Sequence, residues 1–357
     1  MKVAVITFPL INNYGGIIQA YAMMVFLRKL GHEPALINLQ TESRFSSVSK
    51  YLVKKYVLFF LKKYNVVTLT VKNSELRRFV DTYITPKTIP ISNSKQLHKY
   101  FDGQKFDACV IGSDQVFSKM GYTNFENDYS LGFLKSGIIK LSYAASFGGS
   151  AYQGDKDKIE FHKKNLKQFD AISVREKSAI GVCARIFDVS ATHVLDPTMM
   201  IDKKKYLEFF AGSSKEEVRR ELFAYVLDSD LNKTKIVQGF SVNKGLSVHQ
   251  INDGNSSEKI ISMEGWLQSI YYSAHVITDS FHGCVFCIIF NKPFHCFINQ
   301  KRGSDRFYSL LEMFGLEDRI INGMVTDTPI DWNEVNNKLE LNKIKSEDFL
   351  RDHLKTL

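Results

Sequence analysis

Short apolar segments alternate with amphipathic segments along most of the chain. Continuous apolar runs are typical of strands buried on both faces of a parallel sheet, whereas apolar residues three and four positions apart indicate helices. The apolar runs predict strands over residues 2–8, 33–39, 106–116, 138–147, 171–174, 222–227, 246–249, 276–278 and 293–298. The amphipathic segments predict helices over residues 17–25, 74–82, 94–101, 155–168, 232–242, 266–273, 281–290, 307–314 and 333–357.

This alternation occupies both halves of the chain and shows no internal sequence repetition. A chain of 357 residues is too long for one compact core and suits two domains. The predicted fold is α/β, with two Rossmann-like doubly wound domains facing each other across a cleft in which ligands bind. We place an N-terminal domain at 1–190 and a C-terminal domain at 191–330, followed by a helical tail at 331–357, with the hinge near the Pro197 turn.

The composition, 44% apolar and 24% charged residues, describes a soluble globular protein. No apolar run reaches the roughly 18 residues that a membrane span needs, and the first residues lack the layout of a signal peptide. We therefore expect a cytoplasmic protein. The five cysteines are odd in number and lie in apolar surroundings, which is typical of reduced core residues.

The net charge of +9 is concentrated in one segment. Residues 42–72 contain seven bases and one acid, so 7 − 1 = +6 comes from this segment, and tyrosines and phenylalanines are interleaved with the bases. A basic aromatic helix can lie on an anionic membrane surface, at the inner face of the membrane. The alternative is a surface insertion whose aromatic residues pack onto the domain. We do not expect nucleic acid as a partner.

Residues 276–290 contain the strongest candidate site, because a buried strand leads almost directly into a helix. The first N–H groups of such a helix are unpaired and form a binding site for an anion. His282 lies in this first turn beside Asp279 and Ser280, so a titratable group adjoins the predicted anion site. The alternative is that Asp279 and Ser280 only cap the helix and that His282 is a surface residue.

Other cations are available for an acidic ligand. Arg175 begins a helix after a strand, and its guanidinium group can bind a phosphate or a carboxylate through two hydrogen bonds. The alternative for Arg175 is a surface ion pair with Glu176. Lys301, Arg302 and Arg306 form a second cationic group, with solvated loop charges as the alternative.

The N-terminal half contains candidates for binding sugar hydroxyls. Asn13, Gly15 and Gly16 stand between the first strand and the first helix, where glycines let a ligand approach the backbone closely. They could instead simply make the turn. Asp114 and Gln115 follow a strand that ends in small and polar residues, which places them at the predicted cleft.

Several other chemistries are disfavoured. Cys284, Cys287, His295 and Cys296 could be drawn as a zinc set, but cysteines in an apolar helix and strand are more often core residues, and we expect no metal. The sequence has no phosphate-binding motif of the Walker A type and no G-x-S-x-G motif of the hydrolases. We also expect no cofactor.

Six ordered blocks resemble a known family. They are NYGG (13–16), VIGSDQV (110–116), SYAASFG (142–148), SVRE (173–176), LDPT (195–198) and TDSFHG (278–283). With these blocks, the chain resembles the polysaccharide pyruvyl transferase family from about residue 3 to about residue 315. The resemblance implies a fold like that of the GT-B glycosyltransferases, with His282 as general acid and Arg175 as an anion contact. One position departs, since characterised members carry Arg where this chain has Ser280.

The resemblance also implies an activity. Such enzymes transfer the pyruvyl group of phosphoenolpyruvate onto two hydroxyls of a sugar, which forms a cyclic ketal in a surface polysaccharide such as an exopolysaccharide. The expected partners are phosphoenolpyruvate as co-substrate and a saccharide acceptor, which can be lipid-linked. The residues assigned to donor binding are Ser280, Gly283, Lys301, Arg302 and Arg306, and those assigned to acceptor binding are Asn13, Gly15, Gly16, Asp114 and Gln115.

The alternatives are a GT-B glycosyltransferase with a nucleotide-sugar donor and a non-catalytic sugar-binding relative. The N-terminal domain is expected to hold the acceptor and the C-terminal domain the donor.

Overall fold

A computed structural model provides the structure of the chain. It describes residues 1–42, 68–69, 73–118, 125, 127–152, 156–211, 218–251, 261–323, 325 and 328–355. The predicted basic segment 42–72 lies almost entirely outside these residues, and so does the membrane contact predicted for it. Among the helices of the described ranges, none combines the length and the apolar character that crossing a membrane requires.

The predicted strands and helices are confirmed, with ends that differ by a few residues. The strands are β1 (Lys2–Ile6), β2 (Glu33–Leu36), β3 (Thr41–Glu42), β4 (Thr68–Leu69), β5 (Ala108–Ile111), β6 (Ile139–Ala145), β7 (Ala171–Val174), β8 (Thr192–His193), β9 (Arg219–Tyr225), β10 (Ser247–Ile251), β11 (Ser273–Thr278) and β12 (Phe294–Cys296). The α-helices are α1 (Tyr14–Lys29), α2 (Ser74–Tyr83), α3 (Ser94–Asp102), α4 (Ile159–Leu166), α5 (Lys177–Val182), α6 (Lys203–Leu207), α7 (Leu231–Lys244), α8 (Met263–Tyr272), α9 (Phe281–Phe290), α10 (Asp305–Phe314) and α11 (Trp332–His353).

Two parallel sheets organise these elements. The N-terminal sheet has the order β2-β1-β5-β6-β7-β8 and the C-terminal sheet the order β10-β9-β11-β12. In each sheet the second strand in sequence is added on one side of the first strand, and all later strands are added on the other side. The direction in which strands are added therefore reverses between β1 and β5 in the first sheet and between β9 and β11 in the second. The carboxyl ends of the strands at such a reversal border the crevice in which α/β proteins bind ligands.

These sheets confirm the predicted α/β fold with two Rossmann-like units. The N-terminal sheet extends through β8, three residues beyond position 190, where the sequence analysis placed the domain boundary. The very short β8 has no apolar run of its own, so the sequence pattern did not reveal it. Strands β3 and β4 form a separate antiparallel pair.

A continuous hydrophobic core joins the two units. It contains residues of α1, such as Ile17 and Met24, together with residues of α9, such as Val285 and Phe286. All ten residues of α9 are buried, although the sequence predicted one apolar face. Helix α9 is enclosed because α1, α8 and α10 pack around it, so the residues of its first turn are also shielded from solvent.

The C-terminal helix α11 contacts both units. The hydroxyl of Ser346 accepts a hydrogen bond of 3.0 Å from the backbone N–H of Leu195, and the ring of Phe349 packs against Tyr143. On the other side, the ammonium group of Lys338 donates to the carbonyl of Phe314 at the end of α10. These contacts fix the two sheets relative to each other and hence position the crevice between them.

Candidate active site

The N-termini of α1 and α9 meet between the two sheets. The imidazole of His282, in the first turn of α9, packs directly against the backbone of Gly15 in the first turn of α1, so that a Cβ atom on Gly15 would lie 2.1 Å from Nδ1. Since the amino end of a helix carries a partial positive charge and free N–H groups, two such ends favour an anion. The structure therefore brings His282 and Gly15 together, as the predicted cleft required.

Asp196 connects His282 with Arg175. Its Oδ2 atom accepts a hydrogen bond of 2.8 Å from Nη1 of Arg175 and lies 3.6 Å from Nε2 of His282. The hydroxyl of Ser113 also donates to Oδ2, and the backbone N–H and hydroxyl of Thr198 donate to Oδ1. All of these side chains are buried. One carboxylate thus lies beside both residues, hydrogen-bonded to the predicted anion contact and at ion-pair distance from the predicted general acid.

The carboxylate of Asp196 stays ionised in this setting. Burial alone would raise its pKa, but the neighbouring His282, Arg175 and Thr198 outweigh burial and hold the pKa well below its ordinary value. From the sequence, Asp196 stood out only as part of the LDPT block beside the predicted hinge. A signal for its role was present, because Asp followed by Pro and Thr is a typical start of a helical turn, and here Asp196 caps the turn Pro197–Met200.

Arg175 is not a surface residue paired with Glu176. It is 4% exposed, and its ion pair is with Asp196. The guanidinium group lies over the ring of Phe281, 4.3 Å from the ring centre, which orients it toward the first turn of α9. Its Nε and Nη2 atoms are buried and have no hydrogen-bond partner in the described part of the chain. Buried donors without partners are rare, so these two atoms are available to an acceptor that enters the site.

The three cations predicted for the donor differ in their surroundings. The guanidinium group of Arg306 is buried and lies 5.4 Å from the centre of the Phe281 ring, on which Arg175 also packs. Burial and the nearby Arg175 lower the pKa of Arg306 to about 10. By contrast, Arg302 pairs with Asp228 at 2.7 Å, and Lys301 is exposed. Only Arg306 of this group joins Arg175.

Ser280 and Gly283 shape the start of α9. The hydroxyl of Ser280 caps the helix by accepting a hydrogen bond from the N–H of Gly283. Gly283 lies so close to β11 that a Cβ atom there would be 2.6 Å from the hydroxyl of Thr278. Asp279 does not cap the helix. Its carboxylate instead accepts hydrogen bonds from the backbone N–H groups of Leu227 and Asp228, which joins the carboxyl ends of β9 and β11.

The predicted acceptor residues lie on the N-terminal side of the crevice. The side chain of Asn13 caps α1 by accepting from the N–H of Gly16. Oδ2 of Asp114 lies 3.6 Å from the position that a Cβ atom on Gly16 would occupy. Gln115 reaches the other unit, because its Nε2 donates a hydrogen bond of 2.5 Å to the carbonyl of Arg302. Asn13 and Asp114 thus border the crevice, while Gln115 bridges it.

Glu176 is a buried acid that the sequence analysis treated only as a possible partner of Arg175. Its Oε1 accepts hydrogen bonds from the hydroxyl of Ser146 and the N–H of Gly148. The backbone of Gly148 touches Gly303 of the other unit, where a Cβ atom would lie 2.2 Å from the carbonyl oxygen of Gly148. Glu176 therefore fixes the loop through which the two units meet beside the site.

The charge of Glu176 predicts a pH dependence of stability. Burial raises its pKa above the ordinary value of 4.5, and Arg175 and its hydrogen-bond donors only partly oppose this. The folded protein therefore holds this proton at pH values where the unfolded chain has lost it. As the pH rises above about 4.5, the wild type should lose stability relative to Glu176→Gln. Urea unfolding of both proteins between pH 4 and 8 measures this, and a constant difference would contradict it.

The contact between Gly15 and His282 gives a second prediction. Gly15→Ala places a methyl group where the imidazole lies, so His282 must move and turnover should fall at least tenfold. Gly239→Ala, at an exposed position of α7, is the matched control. Its Cβ atom would find no neighbour within 4 Å, so this variant should keep its activity. Steady-state turnover of the two variants measures the effect, and equal activities would contradict the proposed placement of His282.

The cysteines once considered as zinc ligands lie in the core. Cys284, Cys287 and Cys296 are fully buried, and burial raises the pKa of the Cys284 and Cys287 thiols well above its ordinary value. Among the described residues, no group of three or more potential ligands is arranged to hold a metal ion.

Comparisons with known proteins agree with this architecture. The sequence model of a family described as polysaccharide pyruvyl transferase matches residues 13–301, about four fifths of the chain. No curated protein matches the sequence. Among solved structures, a UDP-GlcNAc 2-epimerase of Methanocaldococcus jannaschii is similar, with a TM-score of 0.51 and 12% identity over 99% of both chains. A protein of Listeria monocytogenes described as a UDP-N-acetylglucosamine 2-epimerase has a TM-score of 0.50 and 10% identity over 100% of this chain and 98% of its own. These likenesses concern the fold, which is GT-B-like.

The arrangement can act on a small acidic molecule. Two helix N-termini and the buried guanidinium groups of Arg175 and Arg306 would neutralise its charges. The imidazole of His282, beside the ionised Asp196, can hold and transfer a proton.

Proposed function

The chain belongs to the polysaccharide pyruvyl transferase family, and on that premise we propose that it transfers the pyruvyl group of phosphoenolpyruvate onto two hydroxyls of a sugar. The observation that best supports this proposal is the pairing of His282 and Arg175 with one carboxylate, that of Asp196. A proton donor and an anion contact are then held at a fixed distance from each other. Phosphoenolpyruvate needs both, because it carries a phosphate and a carboxylate beside the carbon that must be protonated.

The reaction begins with a proton transfer. The imidazolium of His282 protonates the methylene carbon of phosphoenolpyruvate, which becomes a methyl group, and the neighbouring carbon acquires oxocarbenium character. A sugar hydroxyl adds to that carbon and loses its proton. The C–O bond to the phosphate then breaks, a second sugar hydroxyl closes the ketal, and inorganic phosphate leaves. One of the two released protons restores His282, and the other leaves with the phosphate.

Asp196 supports His282 in this step. Its carboxylate lies 3.6 Å from Nε2 and, with the backbone of Gly15 on the other side, limits the orientations that the imidazole can adopt. In our mechanism Asp196 is a positioning residue, because it acts through His282 and Arg175 and does not touch the substrate.

Arg175 and Arg306 neutralise the charges of the donor in our mechanism. The unpartnered Nε and Nη2 atoms of Arg175 supply two donors on one edge of the guanidinium group, which suits a carboxylate or a phosphate. Arg306 lies on the same aromatic ring and brings a second charge. Ser280, which caps α9, carries no charge. We therefore assign the neutralisation of the donor's second negative charge to Arg306.

Arg306 and Lys301 form a matched pair for testing this assignment. Arg306→Gln removes a buried charge beside Arg175 and should raise the KM for phosphoenolpyruvate at least tenfold, the effect of losing about 1.4 kcal/mol of binding. Lys301→Gln removes an exposed charge and should change this KM less than twofold. Initial rates at varied phosphoenolpyruvate measure both. Similar effects of the two substitutions would contradict the assignment.

Incubation of the enzyme with phosphoenolpyruvate and a lipid-linked saccharide, followed by ³¹P NMR, tests the proposed activity. Release of inorganic phosphate that requires both substrates supports it. Release of a nucleotide from a nucleotide sugar, with no release of phosphate from phosphoenolpyruvate, would instead identify a GT-B glycosyltransferase. Saccharide binding without any turnover would identify a non-catalytic relative.

A further inference from the structure

A cavity lies in the N-terminal unit, apart from His282 and its partners. It has a volume of about 390 Å³, which is within the range of small-ligand pockets. Leu10, Val80 and Pro90 supply apolar surface, and Asn38, Gln40 and Thr88 supply polar groups. The lining residues differ from the hydrogen-bond and ion-pair partners that His282, Asp196 and Arg175 have in the described part of the chain. The cavity is therefore separate from the candidate active site.

Hydrogen bonds hold the backbone that carries the polar groups of this cavity. The backbone of Asn38 donates to the hydroxyl of Thr88 and accepts from the N–H of Ile91, while the N–H of Gln40 donates to the carbonyl of Ile91. The side-chain amides of Asn38 and Gln40 are partly exposed and make no hydrogen bond to the described residues, so a ligand can take the place of water on them. Each amide can donate and accept, as a sugar hydroxyl also does.

The charges of the cavity suit a hydroxyl-rich ligand better than a strongly anionic one. The ammonium group of Lys87 lies 3.0 Å from the carboxylate of Asp81 and donates to the carbonyl of Val80, so its charge is already compensated. Arg77 also lines the cavity and has an interaction of its own. Planar polar side chains around a small apolar floor match the alternating hydroxyl and C–H surfaces of a sugar ring.

The loop between β1 and α1 connects the cavity with the candidate active site. Leu10 lines the cavity, whereas Gly15, five residues later, touches His282. Five residues of fully extended chain span at most about 18 Å. The side chain of Asn12 accepts a hydrogen bond from the N–H of Asn73 and so ties this loop to α2, which carries Val80 and Asp81. The two sites therefore lie at opposite ends of one anchored loop.

We propose that the cavity binds a sugar unit of an oligosaccharide acceptor other than the unit that receives the pyruvyl group. This inference rests on the proposed function, since the acceptor is taken to be a saccharide. The cavity would recognise the acceptor through the amides of Asn38 and Gln40. It would favour an oligosaccharide over a monosaccharide, because only the longer ligand reaches both ends of the loop.

Saccharide binding without any donor tests this proposal independently of catalysis. The labelled protein is applied to an array of bacterial surface oligosaccharides as the wild type, as Asn38→Ala/Gln40→Ala, as Asn38→Leu and as His282→Gln. Gln104→Ala, at an exposed amide outside the cavity, is the matched control. Thermal unfolding of each protein checks that the fold is kept.

We expect the wild type, His282→Gln and Gln104→Ala to bind the same glycans with similar affinity. The double variant should bind them at least tenfold more weakly because two hydrogen-bonding groups are lost. Asn38→Leu should bind them several-fold more weakly. Unchanged binding by both cavity variants, or binding of no glycan by the wild type, would overturn the proposal. Failure of the proposed function would appear separately, as absent phosphate release from phosphoenolpyruvate by a protein that still binds glycans through the cavity.

Discussion

Replacing His282 by glutamine is expected to lower kcat by about 10²- to 10⁴-fold while the protein stays folded, since a general acid contributes a factor of this size. Glutamine approximates the length of the imidazole and fills much of the space beside Gly15, but it supplies no proton at neutral pH. His282→Ala should be equally inactive, and it leaves a cavity between α1 and α9, so it should also be less stable. Phosphate release from phosphoenolpyruvate measures the loss.

His249→Gln is the control for this substitution. His249 lies on β10, away from Asp196 and Gly15, and its side chain is 30% exposed, so the variant should keep wild-type turnover. Full activity of both His282 variants would remove the imidazole from the mechanism. Inactivity with a lost thermal transition would indicate a structural role instead, and the glutamine variant separates these two cases.

Asp196→Asn is expected to impair both stability and turnover. The substitution keeps the size of the side chain but leaves the buried guanidinium group of Arg175 without its ion-pair partner. Breaking a buried pair in this way costs about 3 kcal/mol of unfolding free energy. The negative charge next to His282 is lost as well, so kcat should fall even in the fraction that remains folded. Urea unfolding and turnover at pH 7 measure the two effects.

The pH dependence of the unfolding free energy distinguishes the effect of the charge of Asp196 from the effect of its shape. The folded state holds the pKa of Asp196 below its ordinary value of 3.8, so its contribution to stability is complete above about pH 4 and declines as the pH falls further. The stability difference between wild type and Asp196→Asn should therefore shrink below pH 4. Asp188→Asn, at an exposed ion pair with Lys167, is the control and should leave stability nearly unchanged. A difference that is independent of pH would contradict this account.

The sequence predicted the fold well because the responsible signals are local. Most strands of the parallel sheets are short apolar runs, and most helices have their own periodicity, so both can be recognised without knowledge of the rest of the chain. The same locality made the start of α9 recognisable, since Ser280, Phe281 and His282 follow β11 directly. The strand β8 was missed because two residues have no detectable pattern.

The sequence could not distinguish Arg306 from Lys301 and Arg302. All three lie in one short cationic segment, and nothing in their spacing indicates which of them turns toward Phe281. That choice depends on how α10 packs against α9 and on the pairing of Arg302 with Asp228. Similarly, the burial of Arg175 depends on its ion pair with Asp196. Arg175 follows β7, whereas Asp196 follows β8.

By itself, the sequence determined the alternation of strands and helices, the division into two α/β units and the position of His282 at the amino end of a helix, because backbone periodicity and helix termini are properties of neighbouring residues. Only the tertiary structure decided that Asp196 holds His282 and Arg175 together and that Gly15 packs against the imidazole. These contacts join residues far apart in the sequence. They arise only when the order of strands in each sheet and the packing of α1 against α9 bring the carboxyl edges of the two sheets face to face.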